Sequence, residues 1–124
     1  MQEDRRPAAA AGHLFLTIPE DVASASRRLV AVGVRPIAVQ DAFAVLELRG
    51  GSHIVVRAGD VPRPAPAPFD LMYDDIEAAR STFIEEGFEV TPIQDGRIHR
   101  SFRAIAPEGF EIQVVDSHAG DRTV

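Results

Sequence analysis

The chain contains no cysteine and no lysine. The first absence excludes disulfides, thiolate nucleophiles and cysteine zinc sites. The second excludes Schiff-base catalysis, and all 13 basic side chains are arginine. No apolar run approaches the ~20 residues of a membrane span, and the N-terminus lacks the apolar stretch of a signal peptide, so a cytoplasmic location is expected. The serines lack a Gly-x-Ser-x-Gly setting, and no glycine-rich phosphate loop follows a strand-like run.

What is present suits one domain: 124 residues, 45% of them hydrophobic, suffice for a core without covalent staples. The formal charge of −6 is unevenly placed. Residues 1–60 carry 7 acidic and 7 basic groups, whereas 61–124 carry 12 and 6. That balance disfavours nucleic acid and mildly favours a cationic or metal-bearing ligand.

The pattern is a repeat between two tails. Residues 1–12, "MQEDRRPAAAAG", and 117–124, "SHAGDRTV", read as loose ends. Between residues 59 and 68, "GDVPRPAPAP" holds Pro62, Pro64, Pro66 and Pro68 and reads as an extended connector unable to form a strand interior. It separates a first module, 13–58, from a second, 69–116. "HLFLTI" and "FDLMY" each alternate and precede an acidic helix start. One helix places Val22, Ala25 and Leu29 on a face and stops near Gly33; the other places Ile76, Ala79 and Phe83 and stops near Gly87. Asp74 with Glu77 suggests a capping box. The helices match at an offset of 54 and the strands before them at 55, which places a one-residue insertion at Pro19. Three strand-like runs follow each helix: "VRPIAV", "FAVLELR" and "HIVVRA", then "FEVTPI", "RSFRAIA" and "FEIQVV". Each half is a β-α-β-β-β module, and the fold class expected is α+β, a cupped mixed sheet with helices on its outer face.

If the helix covers one face of each sheet, residues of opposite parity line a concave surface or meet solvent. That set is His13, Phe15, Thr17, His53, Val55, Arg57, Asp70, Met72, Glu111, Gln113 and Val115. Its mixture of aromatic, apolar and charged groups suits a ligand cavity.

Paired modules of this kind, with "YDDIEAARSTFIEEGFEV" leading to "APEGFEIQVV", resemble the vicinal oxygen chelate superfamily: glyoxalase I, extradiol dioxygenases, and fosfomycin- and bleomycin-resistance proteins. The resemblance covers about residues 13–116 and implies a homodimer around a cupped sheet. In metal-using members it implies His on the first strand of a module and Glu on the last, leaving sites open where a divalent ion (Fe, Mn, Ni or Zn) polarises substrate oxygens. Position by position, His13 matches. Val55 and Pro68 cannot ligate, and Gln113 stands where the family has Glu. A shifted register would be needed to recruit His53, Asp70 or Glu111.

Each candidate has an ordinary structural reading beside it. With its partner ligands missing, His13 reads more readily as a cavity or strand-end residue held by a hydrogen bond than as a ligand, and His53, after Gly-Gly-Ser, as a hairpin cap at a strand edge. Glu111 suits a solvated strand start. Asp70, if buried, needs Arg57 or Arg103 as partner. Phe15, Phe102 and Met72 suit packing, and His99 and His118 a turn and a tail. The leading expectation is a metal-free protein that binds a small organic molecule, as bleomycin-resistance proteins do by sequestration. The alternatives are a metal-dependent lyase or dioxygenase using His13 and neighbouring concave residues, and a metal-free enzyme with Asp70 or Glu111 as a base raised in pKa by burial.

Overall fold

The computed structural model describes residues 6–117. The first module runs β1 (His13–Ile18), α1 (Val22–Ala31), β2 (Arg35–Val39), β3 (Phe43–Glu47) and β4 (His53–Ala58). The second runs β5 (Ala65–Tyr73), α2 (Ile76–Glu85), β6 (Glu89–Val90), β7 (Gln94–Asp95), β8 (Arg100–Ile105) and β9 (Phe110–Asp116). The strand orders are β1-β4-β3-β2 and β5-β9-β8-β6, with β7 also on β8. In each sheet the first strand lies parallel to the last and the remaining pairs are antiparallel. β1 and β5 lie against one another with no backbone ladder recorded between them, so the cup is two sheets meeting at a seam.

Parity works as the sequence implies. Leu16 and Ile18 on β1, Ile54 and Val56 on β4, and Ala44 and Leu46 on β3 are fully buried beneath Val22, Ala25 and Leu29 of α1. In the second module Leu71, Phe102, Ala104, Ile112 and Val114 are buried beneath Ile76, Ala79 and Phe83. The one-residue offset at Pro19 gives Leu14 and Leu16 the same core-facing parity as Phe69 and Leu71. Both helices end as expected before a glycine at positive φ, +124° at Gly33 and +87° at Gly87, where a side chain would be strained. Buried residues of both modules form one continuous cluster. The helices therefore share a layer, and the sheet faces turned away from it lie together on the other side.

A charged clasp joins the modules. Glu108, in the turn before β9, is 5% exposed. It accepts hydrogen bonds from Arg28 Nε at 2.8 Å, Arg28 Nη2 at 2.9 Å and Ser24 Oγ at 2.8 Å, all from α1. Arg28 also donates to the Glu86 carbonyl at the end of α2. Burial alone would raise the Glu108 carboxyl, but the bonds from Arg28 and Ser24 outweigh it and hold the group below its ordinary value. Nearby, the Tyr73 hydroxyl donates to the Val32 carbonyl at 2.8 Å, tying β5 to the end of α1. Burial pushes that phenol well above its usual range.

Several local expectations are corrected. The strand of the second module begins at Ala65, inside the stretch read as a 59–68 connector. Ala65 donates its N–H to the Gly109 carbonyl, in the turn just before β9. Strand alternation then turns Pro66 away from β9, so it removes a donor that the β5–β9 ladder does not use, and Pro68 falls where the register of that ladder shifts, between Pro66 and Asp70. The helix cap is Asp75, which accepts from Ala78 N at 3.0 Å; Asp74 and Glu77 instead pair with Arg49 and Arg100. The run "FEVTPI" yields only the two residues of β6 before Pro92 ends it, and the separate β7 takes over the pairing with β8. His53 does open its strand directly after the β3–β4 turn, and that strand lies inside the sheet between β1 and β3. His99 is half-buried rather than simply solvated, its Nδ1 lying 2.9 Å from the Asp116 carbonyl oxygen. Residues 6–12 are exposed and outside regular structure; residues 1–5, His118 and the rest of the C-terminal tail lie outside the described residues.

Candidate functional site

The uncovered face of the first sheet is built in rows by the strand register. One row runs Glu47, His53, His13, with Arg35 of β2 beside Glu47. The next runs Ala38, Val45, Val55, Phe15, and the last Phe43, Arg57, Thr17. The middle of this face is apolar: Phe15 is 45% and Phe43 41% exposed. Arg57 lies over the Phe15 ring at 4.7 Å and donates to Thr17 Oγ1 at 3.1 Å, so its charge is already engaged. At the polar corner Arg35 pairs with Glu47 and holds that carboxylate below its ordinary value, with a smaller contribution from His53. His53 Nε2 lies 3.4 Å from Glu47 Oε2, and the His13 and His53 rings are 6.0 Å apart.

The second sheet presents a different face. Asp70, Gln113 and Arg103 form one row, and Met72, Val115, Ser101 and Gln94 the next. A cavity of about 240 Å³ opens here, lined by Thr91, Gln94, Ser101, Phe102, Arg103 and Gln113. A larger cleft of about 570 Å³ sits at the end of the seam, where Asp70, Met72 and Tyr73 of β5 face Arg49 and Ser52 of the β3–β4 turn and Ala10. Its volume is that of a small-molecule site.

Of the residues expected to contact a ligand, His13, Phe15, His53 and Arg57 share the first sheet's open face, and Asp70, Met72, Glu111 and Gln113 the second's. Asp70 is exposed, so the burial on which its reading as a base depended is absent, and among the described residues neither Arg57 nor Arg103 is bonded to it. Phe102 is 2% exposed and belongs to the core, whereas Phe15 and Met72, both 45% exposed, are not buried packing. Val115 is 5% exposed despite its cup-facing parity. Glu111 is half-buried.

Thr91, Gln94, Ser101 and Arg103 were missed as a group. "RSFRAI" carried the signal: Ser101 and Arg103 flank the buried Phe102, so they share the open face. Glu47 was missed in the same way, two residues beyond Val45.

The donor set does not fit the divalent ion that this kind of fold implies. Val55 and Pro68 offer no side-chain donor, and Gln113 offers a neutral amide oxygen. His53 does lie opposite His13, without any slip of register, but Asp70 and Glu111 stand on the other sheet. Among the described residues no three His, Asp or Glu side chains come together to hold an ion.

Solved structures match this architecture over nearly their whole length. A glyoxalase/bleomycin resistance protein/dioxygenase superfamily member from Sphaerobacter thermophilus superposes with a TM-score of 0.70 at 15% identity, covering 88% of this chain and 98% of its own. The fold is that of the vicinal oxygen chelate superfamily. A glyoxalase/bleomycin resistance protein from a Streptomyces species gives a TM-score of 0.64 at 20% identity, over 85% of this chain and 99% of its own. An antibiotic binding protein, also from a Streptomyces species, gives 0.63 at 17% identity, over 90% and 98%. At these identities the vicinal oxygen chelate likeness is one of fold. No protein-family model and no curated protein matches the chain. No helix among the described residues is long and apolar enough to cross a membrane.

Proposed function

We propose that this protein binds a small organic molecule in its cup without a metal ion, and that sequestration, as of an antibiotic, is its role. The observation that carries the reading is the pairing of an open apolar surface, Phe15, Phe43 and Met72, with a donor set that lacks two of the four ligands the fold uses. The antibiotic binding protein among the fold's neighbours supports the sequestration part. In this reading the protein acts as a cytoplasmic homodimer, and light scattering on the purified chain tests its oligomeric state.

Elemental analysis of protein purified without chelator tests the metal-free part. It should find no stoichiometric Fe, Mn, Ni or Zn; a stoichiometric ion that disappears in His13→Ala would establish a metal centre instead. A thermal-shift screen tests the binding part. Aromatic or peptide antibiotics should raise the melting temperature, because a ligand held only by the folded state stabilises it, while divalent ions should leave it unchanged.

A further inference from the structure

We propose that the polar half of the cup is an anion-reading subsite: Arg103, with Gln113, Ser101, Gln94 and Thr91, takes the carboxylate of an organic acid whose apolar body extends toward Met72. This rests on the small-molecule reading above and names the ligand's chemical class.

The acidic balance of the second module reaches the cup at two side chains, Asp70 and the half-buried Glu111, which is one register step from Gln113 along β9. Glu77 and Asp95 face Arg100, Glu108 is held by Arg28, Asp74 faces Arg49, and Asp75 caps α2. Part of the charge excess that favoured a cationic ligand is thus engaged in structural pairs. Arg103 differs from the arginines in those pairs. Its backbone N–H donates to Thr91 Oγ1 at 2.9 Å, which fixes the strand, while its guanidinium has no hydrogen-bond or ion-pair partner among the described residues. Asp70 lies on the same row but two strands away, with Gln113 between, about 10 Å of backbone separation at ordinary strand spacing. An uncommitted guanidinium fork matches a carboxylate's two oxygens.

The groups around it complete the site. Gln113 is the register partner of Arg103, and Gln94 that of Ser101, so two amides and a hydroxyl line the same cavity. Each can donate to an oxyanion. At about 240 Å³ the cavity suits a headgroup rather than a whole drug-sized molecule. The exposed Met72 lies along the adjacent row, beyond Val115, and offers apolar surface for the remainder. The same position that removes a metal ligand, Gln113, thereby supplies an amide donor to an anion.

Amide-resolved NMR titrations with 3-phenylpropionate and its neutral analogue 3-phenylpropanamide test this. The acid should shift the resonances of Thr91, Ser101, Arg103 and Gln113 and bind about tenfold more tightly than the amide, the worth of one charge-assisted hydrogen bond. Arg103→Gln should abolish that preference, Arg103→Lys should retain part of it, and added salt should weaken only the acid. Equal binding of acid and amide, or an undiminished preference in Arg103→Gln, would overturn the anion subsite while leaving the small-molecule cup intact. If neither compound moved any cup resonance, the subsite would fall, while the proposed function would still stand or fall on the thermal-shift screen. Gln113→Leu provides a second variant: it should weaken the acid, and unchanged affinity would remove Gln113 from the site.

Discussion

The first module is filled with aliphatic side chains and the second with phenylalanines. Leu16, Ile18, Leu29, Leu46 and Ile54 close the first core, whereas Phe83, Phe88, Phe102 and Phe110 interlock in the second, with ring centroids 4.7–5.9 Å apart. The open faces differ too: the first sheet sets Phe15, Phe43, Val45 and Val55 beside a paired polar corner of Arg35, Glu47 and His53, whereas the second carries Gln94, Ser101, Arg103 and Gln113. One chain path thus accommodates either filling, because parity and helix position fix only which residues are inside. The identity of those outside is left to chemistry.

The largest effect expected is on the aromatic core. Phe83→Ala should lower stability by about 3–5 kcal/mol and Leu29→Ala by about 2–5, the costs of lost transfer energy plus cavity. Urea unfolding checks both. Because the cluster is continuous across the modules, each variant should still unfold in a single transition. Two transitions in either would show that the halves are stable separately.

The clasp between modules comes next. Glu108→Ala should cost about 1–3 kcal/mol by leaving Arg28 and Ser24 without their acceptor. Since folding lowers the Glu108 carboxyl below its unfolded value near 4.3, its contribution is present above that value. It fades as pH falls through the lower folded one. The wild type should therefore lose stability more steeply than Glu108→Gln on acidification below about pH 4, measured by denaturation across pH. Parallel curves would mean that the clasp contributes no acid sensitivity.

The smallest effect separates the two helix starts. Asp75 is extended and caps Ala78, whereas Asp21 sits at φ 60° and makes no side-chain cap bond. Asp75→Ala should cost about 1 kcal/mol. Asp21→Gly should cost nothing or stabilise by a few tenths up to about 1 kcal/mol, because glycine adopts that backbone without strain. Thermal melts of the two variants give the comparison directly.

The repeat, the helix faces and the offset at Pro19 were legible because burial imposes a period of 2 on strands and 3.6 on helices. Parity also assigned His13, Phe15, Asp70 and Gln113 to the open side. What it could not supply was pairing between distant segments. The link from Glu108 to Arg28 spans 80 positions and no local pattern signals it. The exposure of Asp70 and the burial of Val115 depend on which neighbours cover them, a tertiary fact. The prolines misled because a count of breakers says nothing of which way each missing N–H would have pointed.

Those prolines have one more consequence. With Pro66 lacking an N–H on the side away from β9, the early part of β5 offers carbonyl acceptors but fewer donors to any strand other than β9. A stray strand from another molecule finds fewer donors to pair with there. The two sheets meet at the seam of β1 and β5 by packing and not through a run of backbone bonds.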